Sequence, residues 1–130
     1  MTMQIMNNFL KKTFTLLLFL ALPFAGVYAQ TNYNGEEMAQ KITNQSKVVT
    51  VSALQSRIDN GLLHVHAEVL NSSGQKIHLY YRTMWHNAQK QQVNADSWKP
   101  LLLLPNKSRT INATSPLSNA TDFSLELKAD

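Results

Sequence analysis

Two periods organise the apolar residues of the chain. From Phe14 to Leu22 the sequence reads FTLLLFLAL with no ionisable side chain, an unbroken apolar block closed by Pro23. From Lys47 onward the apolar residues fall instead at every second position. Val49, Val51 and Ala53 share one face, and Leu63, Val65, Ala67 and Val69 alternate with His64, His66 and Glu68. A period of two marks a strand buried on one side only. The next run sends Ile77, Leu79, Tyr81, Thr83 and Trp85 inward and His78, Tyr80, Arg82 and Met84 outward. Shorter apolar stretches at 101–104, 110–113 and 123–127 are separated by Pro105-Asn106, Ser115-Pro116 and Ser118-Asn119. Asp59-Asn60-Gly61 and Asn71-Ser72-Ser73-Gly74 are turn formers, and each predicts a tight antiparallel connection. Six or seven short strands with no helical pattern between them predict an all-β antiparallel sandwich. Trp85 and Trp98 are expected between its two sheets.

The apolar block at 14–22 follows a polar stretch whose charges are Lys11 and Lys12, and precedes Val27-Tyr28-Ala29. Those are the three parts of a secretory signal peptide, with cleavage expected before Gln30. A membrane span needs about 20 apolar residues, and this block is shorter and interrupted by proline. Three regions are therefore expected: a signal peptide over 1–29, a polar N-terminal segment over 30–46, and a β domain over 47–130. The polar segment places Met38 and Ile42 four apart after Glu36-Glu37, which allows one short amphipathic helix at most.

Charge and cysteine usage then narrow the function classes. Without Lys11 and Lys12 the chain carries ten Lys and Arg against eight Asp and Glu, and the basic residues are spread singly from Lys41 to Lys128. No stripe or cluster marks a nucleic-acid or membrane-binding surface. The chain has no cysteine, so an exported domain must fold on packing alone. Thiol nucleophiles, thiolate metal sites and a lipid-modified cysteine are excluded with it, and the exported protein is expected to be unanchored.

Candidate chemistry concentrates on two strands. His64, His66 and Glu68 point the same way along one strand, and pairing across the Asn71–Gly74 turn would bring His78 alongside. Three imidazoles and a carboxylate would suit zinc or copper(II); the other reading is a row of solvent-facing polar side chains. Tyr80 and Arg82 form a recognition patch in one reading, with His64 or His66 beside them, since aromatic and arginine side chains dominate interface energetics. In the other, Arg82 braces the sheet by stacking and by pairing with a carboxylate such as Glu68. No G-x-S-x-G elbow or glycine-rich phosphate loop occurs, and Glu36-Glu37 is an adjacent, equally solvated pair. No catalytic residue and no cofactor are expected. Asn44, Asn71, Asn106, Asn112 and Asn119 each begin an N-x-S/T triplet, which in a eukaryotic secretory protein would imply heavy glycosylation and in a bacterial one is simply turn-rich sequence.

The stretch from Leu62 to Leu127 resembles the YcfL-like proteins, small periplasmic proteins of Gram-negative bacteria. The matching features are Glu68-Val69-Leu70-Asn71, the segment Leu79-Tyr80-Tyr81-Arg82-Thr83-Met84-Trp85, and Trp98 followed by Leu102, Leu104 and Pro105. Ile111, Ala113, Pro116, Ala120 and Phe123-Ser124-Leu125 continue the match. After Trp85 the family usually turns through an acidic residue and glycine, where this chain has His86-Asn87-Ala88-Gln89. Members are typically lipoproteins, and without a cysteine that anchor does not carry over. The resemblance implies an immunoglobulin-like sandwich, a periplasmic address and no enzymatic activity. Together these readings make the expected protein a non-enzymatic periplasmic accessory or binding domain of the cell envelope, its partner a protein or envelope component. A small metal-binding protein using His64, His66, Glu68 and His78 is the alternative.

Overall fold

The computed structural model of the chain describes residues 29–130; the apolar block at 14–22 lies outside the described residues. Folding of the described part is easiest to follow from Asn60-Gly61. Both residues have positive φ, 51° and 74°, as a two-residue type I′ turn requires. The turn joins β3 (Val49–Asp59) to β4 (Leu62–Asn71) and sets the register Arg57 to His64, Gln55 to His66 and Leu54 to Ala67. Further along, Val51 faces Val69 but Ala53 faces Glu68, so Ser52 is an extra residue in β3. Such a bulge reverses which side chains point inward beyond it. Val49 and Leu54 are both buried as a result, and Ala53, expected on the face of Val49 and Val51, stands beside Glu68 on the outer face instead.

The connection after Asn71 is not the expected hairpin. β4 pairs with β8 (Ser108–Thr114), whereas β5 (Ile77–His86) pairs with β9 (Asp122–Ala129) on one edge. Along its other edge β5 pairs first with β7 (Lys99–Leu103) and then with β6 (Gln92–Ala95). Residues 72–76 therefore carry the chain from one sheet to the other. Asn71 fixes that crossing. Its side chain is fully buried; the amide donates to the carbonyls of Gln75 (2.7 Å), Leu103 (3.2 Å) and Leu104 (3.1 Å). Its Oδ1 accepts from the Ser73 amide and hydroxyl. Turn-forming composition is thus present at Asn71–Gly74, but the asparagine side chain is satisfied by the crossing segment itself and by the end of β7 in the opposite sheet rather than by a returning strand.

The polar N-terminal segment belongs to both layers. β1 (Gln30–Asn32) adds to β3 and β2 (Ile42–Asn44) adds in parallel to β9, with α1 (Gly35–Lys41) between them. The helix starts where Asn34 accepts from the Glu37 amide and Glu37 accepts from the Asn34 amide, a reciprocal capping box. Glu36 and Glu37 fall in its first turn, where negative charge is favoured. At its end Lys41 pairs with Asp122 and lies over the rings of Tyr33 and Phe123.

Sheet one thus runs β1-β3-β4-β8, and sheet two runs β2-β9-β5 with β6 and β7 sharing the last edge. The three extra strands beyond those expected are β1, β2 and β6, all short and polar. The core between the layers includes Leu54, Val65, Leu79, Trp85, Ile111, Leu125 and Leu127, each at most 2% exposed. Trp85 meets the expectation of a core anchor, its indole donating to Asp96 at 3.0 Å. Trp98 does not: it follows β6 and lies half-buried over the outer face of sheet two.

Candidate functional site

Each sheet turns an outer face to solvent, and the two differ in chemistry. On sheet one the cross-strand register builds two polar rows. One is Gln30, Arg57, His64 and Thr114; the other is Asn32, Gln55, His66 and Asn112. His64 Nε2 lies 3.3 Å from the Asp59 carbonyl, which only accepts, so this nitrogen donates. In the neutral ring Nδ1 then accepts from the Thr114 hydroxyl at 3.0 Å. His66 Nδ1 donates to Asn112 Oδ1 at 3.0 Å, leaving Nε2 an open acceptor. Between these side chains lies a half-open depression of about 200 Å³.

On sheet two the outer face is aromatic, apolar and cationic. Tyr80 and Arg82 of β5 lie opposite Lys128 and Glu126 of β9. Arg82 Nε donates to Glu126 Oε2 at 2.9 Å, and its guanidinium lies 4.6 Å from the centre of the Trp98 ring. Lys128 lies over the same ring at 4.1 Å. One indole is thus held by two cations, each attracted to the electron-rich ring face. Leu102, 38% exposed and opposite His78, extends the surface along β7.

The predicted metal set is divided between the layers. His64, His66 and Glu68 lie on β4 of sheet one, and His78 lies on β5 of sheet two. No group of three His, Asp or Glu side chains placed to hold a metal ion occurs among the described residues. The reason is the crossing at 72–76, which sends β5 into the opposite sheet instead of beside β4. For the same reason Tyr80 and Arg82 do not share a face with His64 and His66, and the carboxylate that pairs with Arg82 is Glu126 rather than Glu68. Trp98, Lys128 and Glu126 were not legible as part of the Tyr80 and Arg82 patch, because their proximity follows from strand partners far apart in sequence. The same holds for Arg57, Gln55 and Asn112 around the histidines.

The fold and these faces can be set beside known proteins. The sequence model described as "Protein of unknown function (DUF1425)" matches residues 36–129. The chain belongs to the DUF1425 family. The match begins inside α1 and ends at the last residue of β9, so the DUF1425 unit takes in α1, β2 and all of sheet two. Two crystal structures are similar. That of Campylobacter jejuni cj0090 has a TM-score of 0.59 at 23% identity, covering 69% of this chain and 98% of that one. That of a DUF1425 family member from Shewanella sp. pv-4 has a TM-score of 0.58 at 21% identity, covering 79% of this chain and 91% of that one. At these identities the likeness is one of fold, and it establishes the β-sandwich. No curated protein matches the sequence.

Proposed function

We propose that this DUF1425 protein is a YcfL-like, non-enzymatic accessory domain of the bacterial periplasm that docks a protein or another envelope component on the outer face of sheet two. The observation that carries the reading is the Trp98 clamp. An indole kept out of the core and held against Arg82 and Lys128, on the face that also carries Tyr80 and the exposed Leu102, costs little conformational entropy on binding. Tyr, Trp and Arg are also the side chains that most often dominate interface energetics. The periplasmic address rests on the leader-like pattern of residues 1–29 and the cleavage site before Gln30. The YcfL-like assignment rests on the Leu79–Trp85 segment and its spacing to Trp98.

A photo-crosslinking amino acid placed at Tyr80 in the full chain, expressed in cells, tests the docking face. A discrete adduct is expected from position 80, lost when Trp98→Ala is added, and none from the same probe at Ala53 on sheet one. Equal adducts from both positions, or none from position 80, would overturn the reading. Mass spectrometry of the protein released from the periplasm is expected to find Gln30 at its N-terminus; a cytoplasmic, full-length product would remove the export half of the proposal. Stoichiometric zinc or copper(II) is expected to leave the melting temperature within about a degree, whereas specific binding well above the dissociation constant would raise it by several degrees. A rise that disappears in His66→Ala would favour the metal-binding alternative.

A further inference from the structure

The depression on sheet one lies on the face opposite the proposed docking surface and has no part in that reading. Its volume, about 200 Å³, is below the roughly 300–1,000 Å³ of pockets that take drug-sized ligands. Its occupant is therefore small. Polar side chains ring it, Gln55, Arg57, His64, His66, Asn112 and Thr114 among them, with Val65 and Ala113 also in the lining.

Hydrogen bonding within the site sorts these groups into spent and available. His64 uses both ring nitrogens, on Asp59 and Thr114. His66 and Asn112 hold each other through Nδ1 and Oδ1, which turns the Asn112 NH₂ donors and His66 Nε2 outward for another partner. The Gln55 amide makes no hydrogen bond among the described residues. The remaining strong group is the Arg57 guanidinium. Its nearest carboxylate, Asp59, lies 3.9 Å away with both side chains substantially exposed, so the planar fork is not engaged in a bidentate pair.

We infer that this depression binds a small polar carboxylate, with Arg57 taking the carboxylate and Gln55, Asn112 and His66 taking its neighbouring polar groups. A carboxylate matches the two parallel donors of the guanidinium. A phosphate fits less well, because the charged side chains beside Arg57 on this face, Asp59 and Glu68, are negative and repel a dianion more strongly than a monoanion. A neutral sugar would use the amides and His66 but leave Arg57 with Asp59.

NMR titration of the full chain, in which Gln30 at the rim of the depression carries no free amine, with lactate, N-acetylalanine and galacturonate at constant ionic strength tests this. At least one of the three is expected to shift the side-chain signals of Gln55, Asn112 and His66 saturably in the millimolar range. Arg57→Gln is expected to weaken that binding about tenfold or more, the scale of one lost charge-assisted pair. Asp59→Asn is expected to tighten it several-fold by removing the competing carboxylate. Both side chains are on the surface, and unchanged melting temperatures will show that the variants fold. Failure of all three probes to saturate would overturn the inference. So would binding unaffected by Arg57→Gln, or equal shifts with glucose or inorganic phosphate. Loss of the sheet-two adduct in cells would leave these results untouched, since the two faces share no residue.

Discussion

Replacing Asn71 tests whether one buried amide holds the two sheets in their relative order. In Asn71→Ala the carbonyls of Gln75, Leu103 and Leu104 lose their donor, and the Ser73 amide and hydroxyl lose their acceptor. Hydrogen bonds of this kind contribute about 0.5–1.5 kcal/mol each, and a buried carbonyl left unpaired costs about 1–3 kcal/mol, so the total is about 3–5 kcal/mol. That is a large share of the roughly 5–15 kcal/mol by which a domain of this size is stable. At about 4–8 °C per kcal/mol the melting temperature falls by roughly 12–40 °C. Asn71→Asp separates hydrogen bonding from packing, because it keeps the shape and the acceptor but turns a carboxylate oxygen toward three carbonyls. Desolvation and those carbonyls disfavour the charged form, which raises the folded-state pKa of the introduced acid above its unfolded value. The folded state then binds more protons than the unfolded state between the two values, so stability falls as pH rises through that window. Urea unfolding followed by circular dichroism at pH 4 and pH 7 measures both effects. The expected order at pH 7 is wild type, then Asn71→Ala, then Asn71→Asp, with the aspartate variant recovering stability at pH 4. A loss below about 1 kcal/mol in Asn71→Ala, or an aspartate variant no weaker at pH 7 than at pH 4, would refute the assignment of the crossing to this side chain.

Deleting Ser52 removes the bulge but leaves Val51 beside Ala53 in unbroken alternation, so Val49 and Val51 keep their inward face and their partners; a loss of no more than about 1 kcal/mol is expected in a denaturant titration, and a larger one would refute the assignment of Ser52 as the extra residue. Asn60→Ala keeps the turn but places alanine at φ 51°, and about 1–2 kcal/mol of stability should be lost, read from the same titration. Trp98→Phe leaves Trp85 as the remaining indole, and its emission is expected to be blue-shifted and poorly quenched by acrylamide; the wild-type spectrum should contain a redder, quenchable component from Trp98. Trp85→Ala, by contrast, empties the centre of the core and is expected to cost about 3–5 kcal/mol.

The strands that could be read from sequence are those whose burial is set locally. β4 and β5 alternate without interruption, and the residues assigned inward on both are buried, apart from Ile77 and Tyr81, which are half-buried against the core. The Asn60-Gly61 turn was legible for a similar reason, since positive φ at two successive positions strongly favours that dipeptide. β3 was legible only up to Ser52, because a bulge changes the phase of alternation without leaving a distinctive residue. β1, β2 and β6 carry too little apolar pattern to be seen; they form because an edge is available, not because their own side chains demand burial. The candidate sites were legible as strand faces and not as constellations. Tyr80 and Arg82 do face outward together, but Trp98, Glu126 and Lys128 reach them through long-range pairing, and the four residues grouped as metal ligands lie on two different layers.

The order of the second sheet has a consequence for folding. β9, the last strand of the described residues, is an interior strand with β5 on one side and β2 on the other. Until β9 docks, the folding chain carries an exposed edge of β5 and a β2 with no partner, the kind of open edge that pairs with other chains. Loss of β9 therefore does not trim this protein; it removes the strand that holds β2 to β5, and the product is a substrate for chaperones or proteases.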